Sequence, residues 1–447
     1  MKASEGASGG PTLVPAGLES RWASEAEACL SSTGRLTPSL RMDTFTWLLI
    51  WSVAAVLIGL PVLIQERILK EKRSIDFVYF YAISTIVRDS PAENIYNPEI
   101  EKAACQKILP LPNRESSYGP SPYPPFVALL FAPASRLPFW TAFRIDEAIS
   151  LALYLTGLIL LLRRYFPGQP SLSSLWVPFS LAYLPWISNA WLNGQLSALG
   201  FIGVAGALIE QKAGHRFRSG LALSVCLYKP TLLVLFIPML LVGRQLRVLL
   251  GFAAGGCVLA GAATATFGWH IWAAYARLVL SVSNFERLRQ STTQFVDLAA
   301  FFKLLAGNRL GGVLVVLCTF CALPFLIASW RRYQHNPSLA WAGTLTWTLI
   351  LSPYVPLYDT ILIIPSLIAS AGILWLGHRS AFEASMLLLF LCSWLSAALA
   401  SLIHVQLLTL AIALVGALQL AATRVPGIEC SDRVRDQIDG AGIAVPG

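Results

Sequence analysis

Charge is what this chain has least of. Of 447 residues only 13% are Asp, Glu, Lys or Arg, about half the share of a soluble globular domain. Hydrophobic residues make up 55% and the mean hydropathy is +0.62. That balance excludes a water-soluble globule and implies a polytopic helical membrane protein. Nucleotide and hydrolase signatures are missing too: there is no GxxxxGK[ST], no GxGxxG opening a helix after a strand, no GxSxG, no HExxH and no DxD pair. ATP-driven, zinc and metal-bound nucleotide-sugar chemistry are therefore not indicated, and no cofactor or metal is expected. Eight cysteines are present, but Cys226, Cys257, Cys318, Cys321 and Cys392 lie in apolar runs and read as small hydrophobes. Cys318 and Cys321 form a CxxC by spacing alone, with no His or second pair beside it. The first 41 residues lack the apolar core of a signal peptide and are Gly/Ser/Ala/Glu-rich, so they are expected to be a disordered extension, with Met42 an alternative start. Residues 424–447 read as a polar tail, leaving 42–423 as the membrane domain.

What charge there is sits in short breaks between apolar runs. The net charge of +9 is thus explained by topology and lipid headgroups, not by nucleic acid. Spans are expected near 45–64, 144–162, 174–191, 196–211, 248–267, 310–329, 339–356, 359–376, 382–402 and 404–421. The stretch 219–242 is interrupted by "YKP" and reads as two half-helices meeting at Lys229. Residues 122–138 are apolar but short and Pro-rich, which suits a re-entrant or interfacial segment. With that segment kept from crossing, six basic clusters, at 163, 211–218, 243–247, 330–335, 378–379 and 424, fall on one face, expected to be cytoplasmic. Loops 65–143 and 268–309 then lie on the outer face.

Several unusual stretches converge there. In "SIDFVYFYAISTI" Asp76 is either an interfacial charge or, starved of water by Phe77, Tyr79, Phe80 and Tyr81, a proton acceptor of raised pKa. "NIYNP" follows, with Tyr96. "SPYPPF" is a rigid turn. Asn189, Asn193 and Gln195 in "NAWLNGQLS" either cap helix ends or face sugar hydroxyls, with Gly194 as a flexible point. Lys229 is a lone cation in an apolar segment, which either snorkels to headgroups or contacts a lipid phosphate. Asp359, beside Tyr354 and Tyr358, is by default a helix cap. Residues 268–295 read as an amphipathic helix on the membrane followed by a polar stretch, from which Arg287 or Arg289 can reach a phosphate.

The order of "IDFVYFYAISTIVRDSPAENIYNP", "YPPFVALLFAPASRLP", "NGQLSALGFIGVAGAL", "YKPTLLVLFIPMLLVGRQLRVLLG" and "LSPYVPLYDTILIIP" resembles glycosyltransferase family 87. It departs at Asn97, which replaces an acid, and no His accompanies Tyr354 and Tyr358. The resemblance implies a type C glycosyltransferase-like helical bundle of about 10–12 transmembrane helices with outer loops. It implies transfer of a sugar, mannose by default, from a polyprenyl-phosphate donor to a lipid or glycan acceptor, outside a bacterial plasma membrane. Asp76 would correspond to the family's general base. Tyr79, Tyr96, Asn193, Gln195, Lys229, Arg287, Arg289, Tyr358 and Asp359 are the expected substrate contacts. A lipid or solute transporter, with its site at mid-depth, is the competing reading, and a non-catalytic scaffold a third.

Overall fold

A computed structural model describes residues 44–70, 75–110, 121–281, 292–332 and 337–422. Among them the one β contact is an isolated bridge between Phe295 and Pro356; the rest of the regular structure is helical, and the chain is an all-α polytopic membrane protein. The first helix, α1 (Thr44–Lys70), is followed by three short ones outside the bundle: α2 (Phe77–Asp89), α3 (Pro98–Ile108) and α4 (Pro125–Phe131). Then come α5 (Phe139–Tyr165), α6 (Pro170–Leu181), α7 (Ser197–Lys212), α8 (Arg216–Leu223), α9 (Phe236–Val242) and α10 (Leu246–Phe267). The series closes with α11 (His270–Val279), α12 (Leu298–Arg332), α13 (Ser338–Leu351), α14 (Ile363–Ile403) and α15 (Leu407–Ala422).

Six helical stretches are long and apolar enough to cross a bilayer: Thr46–Arg67, Phe139–Tyr165, Leu246–Phe267, Leu298–Arg332, Leu357–Trp375 and Gly377–Ile403. The last two meet at His378, where φ of −146° breaks α14. Four runs that the sequence reads as spans are shorter or broken. The run 174–191 divides into α6 and a π-helical turn, Pro185–Trp191, because Pro185 cannot donate to an unbroken helical ladder. The others are α7, α13 and α15, at 16, 14 and 16 residues.

Side-chain pairs fix the direction of each limb. Gln65 near the end of α1 donates to Leu192 O (2.7 Å). Helices α5 and α7 run parallel, with Gly157 against Phe201 and Tyr165 donating to Leu208 O (3.4 Å). Helix α8 returns antiparallel to α7: Ser219 Oγ donates to Ala207 O (2.8 Å) at one end, and Tyr228 lies on Gly200 at the other. Helices α8 and α10 are parallel and touch backbone to backbone. A Cβ on Gly220 would come 1.9 Å from Val248 O, and one on Gly251 2.0 Å from Phe217 O, the small-residue contact typical of membrane helices. Trp330 packs on Gly243. Arg163 and Arg164, Lys212 and Arg216, Arg244 and Arg247, Arg331 and Arg332, and Arg379 therefore gather at one end of the bundle. The sixth cluster, at Arg424, lies outside the described residues.

The other end carries the connecting loops. Residues 122–138 form no helix long enough to cross a bilayer. They form α4 and the 3-10 turn Ala132–Arg136 and pack on α2, with Tyr81 OH bonded to Leu137 O (2.8 Å). Helix α11 lays Ile271, Ala274 and Leu278 on Ile83, Ile86, Ile95 and Tyr96, while Trp269, Val279 and Leu280 around it stay exposed. Limbs leading from the basic end to this region are short. Residues 216–228 and 230–242, on either side of Lys229, are each only about 20–25 Å long. Each is shorter than a hydrocarbon core of about 30 Å.

Candidate active site

Asp76 stands at the head of α2, and its carboxylate is bound from across the fold, capping nothing in its own helix. Oδ2 accepts from Asn193 Nδ2 (2.5 Å) and Gln195 Nε2 (2.7 Å). The backbone joins in: Asp76 N donates to Asn193 Oδ1 and Phe77 N to Asn193 O, both at 3.1 Å. Oδ1 of Asp76 accepts no hydrogen bond from the described residues, and the side chain keeps partial exposure. Burial pushes the carboxyl above its ordinary pKa and the Gln195 bond pulls it partly back. The combination is an oriented carboxylate with one free oxygen and heightened basicity.

The turn that delivers both amides depends on Gly194, at φ +70°. A Cβ there would lie 2.7 Å from Phe77 Cβ. Gly194→Ala is therefore expected to cost about 1–2 kcal/mol in backbone strain alone and to shift Asn193 and Gln195 off Asp76. Turnover should fall on the order of 100-fold with the protein still inserted; near-wild-type turnover in purified, correctly folded G194A would contradict the dependence.

Gln195 also accepts from Tyr123 OH (3.2 Å), so Tyr123, Gln195 and Asp76 form one chain. Tyr123 in turn neighbours Tyr358, whose phenol feels both Asp76 and Asp359. There the second group begins. Lys229, 6% exposed, pairs with Asp359, 0% exposed. Its ammonium lies over the rings of Tyr354 (4.8 Å) and Tyr358 (4.6 Å). Two expectations change here. Lys229 neither snorkels nor stands as a free cation, and Asp359 does not cap a helix; it lies in the 3-10 turn Leu357–Leu362 and answers the lysine. An ammonium has three N–H donors, and Asp359 takes one. The Ser197 hydroxyl lies beside the Asp359 carboxylate, and Tyr228 OH and Thr231 Oγ1 are buried without hydrogen-bond partners among the described residues, hydroxyls that ligand oxygens would satisfy.

The remaining expected contacts lie elsewhere or have another use. Tyr96 is buried against Tyr275 and donates to Tyr123 O (2.8 Å), which supports Tyr123 from behind. Tyr79 packs on the cluster of Val78, Ala82, Cys105 and Leu109. Asn97 caps α3, accepting from Glu99 N (3.0 Å). Asn189 shares a bond with Ser188 (3.0 Å). Arg287 and Arg289 lie outside the described residues.

Tyr123 and Glu101 carry structure here that the sequence reading missed. Glu101 is 2% exposed, and both its oxygens accept from Ser121 N (3.2 and 3.1 Å), anchoring the segment that bears Tyr123. Burial pushes its pKa up to about 7. Because the folded value exceeds the unfolded one, Glu101 favours folding most at low pH. Its contribution falls as pH rises from the ordinary carboxylate range through about 7. Glu101→Gln, which can still accept from Ser121, is expected to flatten that decline in a thermal-unfolding series across pH 4–8. An unchanged slope would show that another group titrates.

A model of glycosyltransferase family 87 matches residues 122–353, more than half the chain. The chain belongs to glycosyltransferase family 87. The matched region of this membrane glycosyltransferase holds Tyr123, Asn193, Gln195 and Lys229. Asp76 lies well before that region and Asp359 just after it, and they reach it by hydrogen bond and ion pair. No curated protein and no solved structure matches the chain.

Proposed function

We propose that this family 87 enzyme transfers a sugar, mannose in the first instance, from a polyprenyl-phosphate carrier to an acceptor hydroxyl on the extracytoplasmic face, with inversion. The single observation that carries the reading is Asp76: two amides hold Oδ2 and leave Oδ1 open. In the reaction the acceptor O–H gives its proton to Asp76 Oδ1 while its oxygen bonds to the anomeric carbon. The bond from that carbon to the phosphate oxygen breaks, and its electron pair leaves with the polyprenyl phosphate. The leaving group is already an anion, so it needs positive charge and donors, not an acid. Lys229, with two N–H donors beyond Asp359, and the unpartnered hydroxyls of Tyr228 and Thr231 suit that task. The gathering of basic residues at the far end of the bundle supports an outward-facing site, since basic loops stay in the cytoplasm.

Membranes containing the enzyme, incubated with a panel of radiolabelled polyprenyl-phosphate sugars and with nucleotide sugars, test the proposal. Label is expected to move from polyprenyl-phosphate mannose into an acceptor product. Transfer from nucleotide sugars alone would overturn the donor class, and transfer of a different sugar would replace mannose.

A further inference from the structure

A groove of about 430 Å³ opens between α5, the α4 segment and the start of α7, and Phe77, the residue after Asp76, is part of its lining. Its size lies in the range of about 300–1,000 Å³ usual for ligand sites. Ile145, Ile149 and Leu153 line it from one face of α5, and Phe77 and Leu196 line it too. Those two are the chain neighbours of Asp76 and Gln195, so the groove borders the segments that carry the bound carboxylate and its amide partner. Ile145 and Ile149 are 45% and 54% exposed, which leaves the groove open sideways to lipid.

Two lining residues break the apolar pattern, Ser150 and Asp146. Among the described residues Asp146 makes no hydrogen bond or ion pair; its electrostatic neighbour is another carboxylate, Glu147. The nearby Arg144 is committed to Glu66 (2.7 Å) and Glu147 (2.9 Å). A phosphate entering here would find no free cation to pair with, whereas a hydroxyl would find a carboxyl oxygen to accept its hydrogen bond. A carboxylate on a membrane helix is costly and marks a functional cavity by default.

We propose that the groove seats the apolar chain of the acceptor, and that the acceptor is a membrane-anchored amphiphile with an uncharged, hydroxyl-bearing headgroup. The proposal rests on the displacement set out above. In an in-line displacement the attacking hydroxyl and the departing phosphate occupy opposite faces of the anomeric carbon. Asp76 marks the attacking side. The donor's phosphate and prenyl tail therefore depart away from it, and the chain lying in the groove on Asp76's own side belongs to the acceptor. None of the lining residues comes from the segments that carry Lys229 and Asp359, in keeping with separate seats for the two lipids.

Photolabelling of the full chain in lipid nanodiscs, with no turnover required, tests this. Two probes carry a diazirine in the tail: a neutral alkyl glucoside and a prenyl phosphate. The glucoside is expected to label residues 145–153, with labelling reduced about tenfold by excess unlabelled dodecyl glucoside and by the groove-filling variant Ile149→Trp at a lipid-exposed position. The prenyl phosphate should label that stretch only in Asp146→Lys. Equal labelling by both probes in the wild type, or glucoside labelling that neither competitor nor I149W reduces, overturns the proposal. Because labelling needs no catalysis, its failure with Asp76-dependent turnover intact sinks the groove alone. Normal labelling with turnover indifferent to Asp76 sinks the catalytic reading alone.

Discussion

Asp76→Asn will lower sugar transfer by on the order of 10²–10⁴-fold, the contribution of a positioned general base, and will leave the amount of folded, inserted protein unchanged. The substitution keeps shape and removes the proton acceptor. One oxygen remains for the Asn193 or Gln195 amide, so the link between the head of α2 and the 193–195 turn persists. Measurement is by transfer assay on purified protein, normalised to a thermal-unfolding midpoint. Activity near wild type would remove Asp76 from the chemistry. The wild-type rate should also fall on the acid side, as Asp76 protonates, at a pH above the ordinary carboxylate range because burial raises this group. That limb should vanish from the residual activity of D76N.

The second large effect concerns Lys229 and Asp359. Both are buried and each is the other's counter-charge. Lys229→Ala leaves a carboxylate with no cation, and Asp359→Ala leaves an ammonium with only ring faces. Either is expected to cost about 3–5 kcal/mol of stability. Replacing both, as Lys229→Met with Asp359→Asn, removes the unpaired charge and should restore much of the unfolding midpoint. It should not restore transfer, because the donors offered to the phosphate are gone. A double variant that regains full transfer would show the pair to be scaffolding. Two single variants of wild-type stability would show that the pair contributes little to the fold.

The membrane class was legible because it is compositional: scarce charge and long apolar runs leave few alternatives. So were the break at Lys229, which Pro230 forces, and the short, broken helical build of 122–138, which its length and prolines dictate. The partnership of Lys229 with Asp359 was not, since 130 positions separate them and neither neighbourhood encodes the other. The run expected as one span at 174–191 is divided for a local reason: hydropathy counts apolar residues but does not register that Pro185 interrupts the ladder. Tyr123 escaped because a tyrosine between prolines reads as a turn anchor. Its role appears only when Gln195, supplied by a distant turn, comes within hydrogen-bond reach. Asn97 left an ordinary local trace, an amide before Pro98 and Glu99, and its use as a cap agrees with that trace.

The glycine seam between α8 and α10 has a consequence for heredity of function. Its tightest contacts, Gly220 on Val248 and Gly251 on Phe217, lie toward the basic end, yet they set how closely the limb ending at Lys229 is held against its neighbour. A single methyl inserted there wedges the two helices apart and carries the ammonium sideways. Loss-of-function alleles should therefore accumulate at the end of the bundle away from the candidate site, at residues that never meet a substrate.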